Sequence, residues 1–218
     1  MVLVAVPVRR GTPLVLQQRS ADLVAALTYA GFQWVVYENE QIGYREKYGP
    51  NAAARNELIE KFLRPHHTFV LWVDVDIIDF PPDLIERLLA VSESHGGAIV
   101  APLVWMEKVG QGPVNLTNGG WFYDTGGFIK DGRQADFLTG VVPGEEGEQP
   151  VEEMDSVGCV YLVPAQLYRD GLRYRPRGNE VEHVSFCSQA RANGVKVLAM
   201  RDVHVVHAYL PKYGERWH

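Results

Sequence analysis

The segment Phe69-Val70-Leu71-Trp72-Val73-Asp74-Val75-Asp76 constrains this chain most. An apolar run of strand length ends in two carboxylates one residue apart. Ile77-Ile78-Asp79-Phe80 then leads into Pro81-Pro82-Asp83, which opens a helix. A short apolar run bounded in this way reads as a buried strand. In open α/β sheets ligands bind beyond the carboxyl ends of the strands, and Asp74 and Asp76 fall there. Two close carboxylates repel unless a cation or a proton intervenes. Hard oxygen donors suit Mg2+ or Mn2+. An Asp-x-Asp is common by itself; its position makes this one a metal candidate.

The flanking sequence alternates strand and helix. Strands are expected over Val2–Val8, Gln33–Tyr37, Phe69–Val73 and Ala98–Pro102, and helices over Leu14–Ala30, Asn51–Leu63 and Pro82–His95. Apolar residues recur at helical spacing in each helix, Gly31 and Gly96 stand as stops, and proline lies in the first turn of the third. This alternation favours a mostly parallel sheet with right-handed crossovers. The middle, Gly110–Gly147, is rich in Gly, Asn, Asp and aromatics, with short strand candidates at Trp121–Tyr123 and Phe128–Ile129. Gly144–Glu153 reads as an exposed acidic loop. Regular structure then resumes, with strands at Val157–Val163, Val195–Ala199 and Val203–His207 and helices at Pro164–Asp170 and Val181–Asn193. No linker divides the chain.

Hydrophobic content of 46% and charged content of 22% over 218 residues suit a globular fold with a sizeable core. The net charge of −6 argues against a nucleic-acid partner. No apolar run approaches the ~20 residues of a membrane span. Cys159 and Cys187 lie in apolar contexts without zinc-type spacing, and read as buried free thiols in a reducing, cytoplasmic setting.

Further site candidates follow from position. On a strand, residues three apart face opposite ways, so His204 and His207 should not serve one metal. His207, at the strand end, can complete a shell with Asp74 and Asp76, and an imidazole ligand tilts the preference toward Mn2+. His66, His67 and His95 read as solvent-exposed. Glu182, with His183 beside it, opens a helix; it complements the helix dipole or accepts a proton from an acceptor hydroxyl. Arg55, on the helix before the metal strand, is either a solvated charge or a phosphate contact. Pro7 and Arg9 after the first strand and Glu38 after the second line the same edge and are candidate nucleotide contacts.

Together these segments resemble a GT-A glycosyltransferase, and more narrowly the fungal Golgi α-mannosyltransferases of glycosyltransferase family 62. The resemblance rests on Asn51–Ile59 with Arg55 and Asn56, on Phe69–Asp76 with Pro81-Pro82 and Leu84-Ile85, and on Ala101-Pro102 and Tyr123-Asp124. It continues through Asp155–Gly158, Val160–Val163, Tyr168–Leu172, Glu180–Glu182 and Val205–His207. It implies a GDP-mannose donor, Mn2+, and Asp74, Asp76 and His207 as metal and diphosphate contacts. The family also implies retention of anomeric configuration, where the leaving phosphate oxygen takes the proton. The helix at Glu182 is also similar to the Glu-Asp motif of the inverting family 2, with His183 at the Asp position; inversion would make Glu182 or His183 the base. Asp155 joins them as a catalytic candidate.

The expected fold is α/β: one GT-A domain over 1–218, with a mostly parallel Rossmann-like sheet flanked by helices and a smaller mixed sheet. Residues 1–76 form the nucleotide half and 77–218 the acceptor half and tail. The expected function is metal-dependent transfer of a hexose, mannose first, from a GDP- or UDP-linked donor to a glycan or lipid-linked acceptor. Arg55, with Lys212 or Arg216 in the tail, would assist, and Gly110–Gly147 and the tail from Tyr209 would serve as lids. Three alternatives remain: an inverting UDP-sugar enzyme, a sugar-1-phosphate nucleotidyltransferase, and a non-catalytic nucleotide-sugar binder. Pro7-Val8-Arg9-Arg10-Gly11-Thr12 is a poor match to the nucleotidyltransferase loop.

Overall fold

A computed structural model describes residues 1–9, 12–39, 49–106, 127–134, 151–178 and 180–208. Its centre is an 8-stranded sheet in the order β2-β1-β3-β9-β5-β10-β4, with β8 paired to β10. The strands are β1 (Val2–Arg9), β2 (Phe32–Asn39), β3 (Phe69–Val73), β4 (Ile77–Asp79), β5 (Ile99–Met106), β8 (Val151–Glu153), β9 (Val160–Pro164) and β10 (Val197–His207). Two short strands, β6 (Ile129–Lys130) and β7 (Arg133–Gln134), form a separate antiparallel hairpin. β1 is apolar on both faces, and Val2 to Val6 are each at most 1% exposed. Only a strand covered by helices on both sides has that pattern. The covering helices are α1 (Leu14–Ala25), α2 (Gly49–Phe62), α3 (Leu84–Ser94), α4 (Ala165–Arg169) and α5 (Glu182–Ala192).

β1, β2, β3, β5 and β10 run one way. β4, β8 and β9 run against them. The sheet is therefore mostly parallel, but its middle is not a simple βαβ series. β9 enters antiparallel between β3 and β5, with Trp72 opposite Tyr161 and Val100 opposite Leu162.

Four sequence expectations are corrected. Helix α1 ends at Ala25, with Ala26 as its cap, and not near Gly31. The Thr28 backbone N–H and hydroxyl both donate to the Pro82 carbonyl, at 3.1 and 2.9 Å, and draw the chain out of the helix. The two expected strands near the end are one strand, β10, with a register shift between Met200 and His204. Met200 faces Pro102, which has no N–H to give the ladder, so the extra residues bulge there. Val151–Glu153, read as loop, pairs with β10 as β8. His67, read as exposed, has no exposed surface: the Arg64 N–H donates to its Nδ1 at 3.0 Å and Gln33 Oε1 lies 3.2 Å from its Nε2.

Neither cysteine is in a disulfide, and both are buried. Among the described residues no helix is long and apolar enough to cross a membrane.

Candidate active site

Strand alternation builds the floor of the site. Trp72 and Asp74 are two residues apart, so they share a face of β3, and Tyr161 stands opposite Trp72 across the β3–β9 ladder. The Asp74 N–H donates to the Cys159 carbonyl at 3.0 Å. Cys159 reaches that position in the left-handed region, at φ 54°. After Asp74 the chain turns: the Ile77 N–H returns to the Asp74 carbonyl at 3.0 Å, which leaves Asp76 on the turn. Strand β4 then lies along β10, with Ile77 opposite His207. The Ala208 N–H donates to the Asp76 carbonyl at 2.8 Å and locks the end of β10 to that turn.

Three more side chains close on this floor. On α2, Arg55 lies in the buried stripe of Ala52 and Ile59 and is 3% exposed. Its Nη2 donates to Asp74 Oδ1 at 2.7 Å, and its Nε lies 3.4 Å from Glu182 Oε1. Glu182, in the first turn of α5, is 2% exposed, and His183 Nδ1 lies 3.9 Å from Glu182 Oε1. His207 Nε2 lies 3.0 Å from Asp76 Oδ2. Arg55 Nη1 and Glu182 Oε2 are buried with no hydrogen-bond partner among the described residues.

The charges interact strongly. Burial raises Asp74 above the usual carboxylate range; Arg55 pulls against this while Asp76 and Glu182 add to it. Burial also pushes Glu182 up, but His183 and Arg55 outweigh it and bring it down to about 2. Burial works against a charge on His207, yet the contact with Asp76 raises it above the ordinary imidazole value. Burial works against Arg55 as well, and Tyr161, Asp74 and Glu182 hold its charge in place.

The structure thus brings together Arg55, Asp74, Asp76, Glu182, His183 and His207. His204 is separate, with its ring 5.8 Å from that of Trp105. Asp155 is occupied elsewhere: its Oδ2 accepts from the Gly132 N–H at 2.8 Å and its Oδ1 lies 2.5 Å from Arg191, so it ties the β6–β7 hairpin to α5. Pro7 and Glu38 lie on the same edge as Asp74, in the neighbouring strands, with Pro7 opposite Tyr37 and Val8 opposite Glu38. The side chain of Arg9, positions 110–126 and 135–147 of the expected lid with the Tyr123-Asp124 pair, and the tail from Tyr209 with Lys212 and Arg216 lie outside the described residues.

Sequence reasoning missed the aromatic wall. The Arg55 guanidinium carbon lies 5.0, 5.6 and 5.8 Å from the ring centres of Trp72, Tyr161 and Tyr174. The Trp72–Asp74 spacing was a usable signal for one ring. Nothing local points to Tyr161 or Tyr174, because long-range pairing brings them in.

Two carboxylates and an imidazole are a donor set that suits Mn2+. Their arrangement is less ready: among the described residues no three such groups converge closely enough to hold an ion. Asp74 is turned to Arg55, and an ion on His207 Nε2 takes the place of that nitrogen's contact with Asp76.

The Anp1 family model matches residues 45–130. The vanadate resistance protein of Candida albicans is 27% identical over 182 residues, which cover 72% of this chain and 40% of that relative. The chain therefore spans about two fifths of the relative's length. Among solved structures, GalNAc-T7 with UDP, GalNAc and Mn2+ superposes with a TM-score of 0.60 at 12% identity, over 96% of this chain and 44% of the other. S. aureus TarS 1-349 gives 0.58 at 13%, over 95% and 60%. A Drosophila β-1,4-galactosyltransferase 7 with manganese, UDP-Gal and xylobiose gives 0.52 at 14%, over 99% and 73%. At such identities these likenesses establish the fold. The chain thus has a GT-A-type α/β fold, and it is similar to the Anp1 family over the segment that carries Arg55, Asp74 and Asp76.

Proposed function

We propose that this chain transfers a hexose, mannose from GDP-mannose in the first instance, to a hydroxyl of a glycan or lipid-linked acceptor. Two ion pairs at the carboxyl end of β3, Arg55 with Asp74 and His207 with Asp76, with Glu182 beside Arg55, carry this reading. Residues 1–76 would hold the nucleotide, with Pro7, Arg9 and Glu38 along its edge, and 77–218 would receive the acceptor. Asp74, Asp76 and His207 would hold Mn2+ (or Mg2+), which when bound acts as a Lewis acid on the departing diphosphate. Two buried cysteines outside any disulfide favour a cytoplasmic setting.

In the reaction the bond from the sugar C1 to the phosphate oxygen breaks, and a bond from C1 to the acceptor oxygen forms. The acceptor proton must leave. Glu182, held at about 2, is a weak base at neutral pH. That supports the retaining course, in which the leaving phosphate oxygen takes the proton. Glu182 and His183 would then orient the acceptor hydroxyl. Asp155 is kept as a supporting residue that ties the β6–β7 hairpin to α5.

A UDP-linked donor is the second reading, because GalNAc-T7 and TarS are described with UDP and UDP-GlcNAc. A thermal-shift series with GDP, UDP, GDP-mannose and UDP-glucose, each with and without Mn2+, separates the two. A ligand at about 100 times its Kd adds roughly 2.7 kcal/mol. A Mn2+-dependent shift with guanine compounds alone supports the mannosyl donor; a shift with uracil compounds replaces it. In a product assay with the donor so found, Asp76→Ala is expected to lose at least about 100-fold in transfer rate. Full activity in that variant ends the proposal.

A further inference from the structure

Arg55 is held on several sides at once. Besides Asp74 and Glu182, it lies among three rings that are themselves pinned. Trp72 Nε1 donates to the Tyr168 hydroxyl at 2.7 Å, and the Tyr174 hydroxyl lies 2.9 Å from that of Tyr161 and 3.0 Å from that of Tyr168. Phe186 stacks on Tyr174 with ring centres 4.5 Å apart. Asn56, the next residue after Arg55, clamps the Tyr174 backbone with two hydrogen bonds of 2.9 Å. Helix α2 is thus fastened to the segment that leads into α5. The two acids on the guanidinium come from distant parts of the chain, the end of β3 and the start of α5.

We propose that Arg55 is a positioning residue: its caged guanidinium fixes the Asp74 carboxylate relative to that of Glu182, and so sets the spacing between the ion-binding end of β3 and the acceptor side of the site. This rests on the reading of Asp74 as an ion ligand. It departs from the sequence expectation that Arg55 reaches the donor phosphates. The planar fork matters more than the charge, because a guanidinium directs two N–H groups to two partners while an ammonium is a point charge.

The test is Arg55→Lys, with its melting curve checked first. Loss of alignment on the order of 1 Å costs about 100-fold in rate. The variant is therefore expected to lose about 100-fold in kcat with a donor KM within about threefold of wild type. The Arg55→Lys/Glu182→Gln double variant is expected to lose little more than the worse single one. A donor KM raised tenfold or more at unchanged kcat would show a phosphate contact and overturn the proposal, as would wild-type kinetics. Mn2+ affinity measured by electron paramagnetic resonance without nucleotide is the second arm. Lysine keeps the charge, so an affinity at least tenfold weaker reports lost geometry, and an unchanged affinity overturns the proposal. A wild-type protein that binds Mn2+ but transfers nothing ends the transfer reading and leaves this arm to decide. One that binds neither ion nor nucleotide overturns both. If Arg55→Lys does not fold, Trp72→Phe, which narrows the ring under the guanidinium, takes its place with the same expected split between kcat and KM.

Discussion

Arg55 shows how far a single residue can be read from sequence. It stands three residues after Ala52 and four before Ile59, in the stripe that faces the sheet. A charge in that stripe is a reason to expect a buried partner, yet the sequence left a solvated charge equally open. His67 went the other way. It looked like a loop residue, and is wholly buried because its ring serves as a local cap for the Arg64 N–H. With Nδ1 accepting, Nε2 carries the proton toward Gln33, and the neutral ring is the one that fits. Burial, with His66 and nearby positive charge, depresses it to about 4. The folded form resists protonation that the unfolded chain accepts near pH 6.5, so His67 contributes stability in full above that value. That contribution falls away as pH drops toward 4. Unfolding free energy measured across this window should slope less steeply in His67→Gln than in wild type, by up to about 1.4 kcal/mol per pH unit.

At the scale of elements, β1, β2, β3, β5 and the helices α2 to α5 were legible because their periodicity is local. β3 was read to the residue, and α2, α3, α4 and α5 to within two residues at each end. Besides the end of α1 and strand β8, two features were not legible. The direction of β9 depends on which neighbours claim it, and its apolar run is the same either way. The bulge in β10 depends on Pro102, a residue on another strand. The turn into β9 has its own test. Cys159 sits at φ 54°, where a β-branched side chain clashes with the backbone. Cys159→Val is expected to cost about 2 kcal/mol more than Cys159→Ala in denaturant unfolding. Because the Cys159 carbonyl receives the Asp74 N–H, the valine variant should also bind Mn2+ more weakly. Equal stability of the two variants would mean that the turn relaxes freely.

At the scale of the whole molecule, one sheet joins residues 1–76, proposed to hold the nucleotide, to the rest of the described chain. Among the described residues β2 ends the order, while β1, β3 and β9 have a neighbour on each side. Native-state hydrogen exchange should therefore be slowest in β1, β3 and β9, with the outward amides of β2 exchanging orders of magnitude faster. Uniform protection across the sheet would count against β2 as an edge.

The antiparallel insertion of β9 also bears on synthesis. Trp72 emerges from the ribosome long before Tyr161, its partner across the ladder. At ~5–20 residues per second the wait is on the order of ten seconds. Through that interval a nascent chain carries an apolar strand with one flank open, the kind of edge that recruits chaperones or other chains. Soluble yield should then depend on how quickly the ribosome covers the stretch between the two strands.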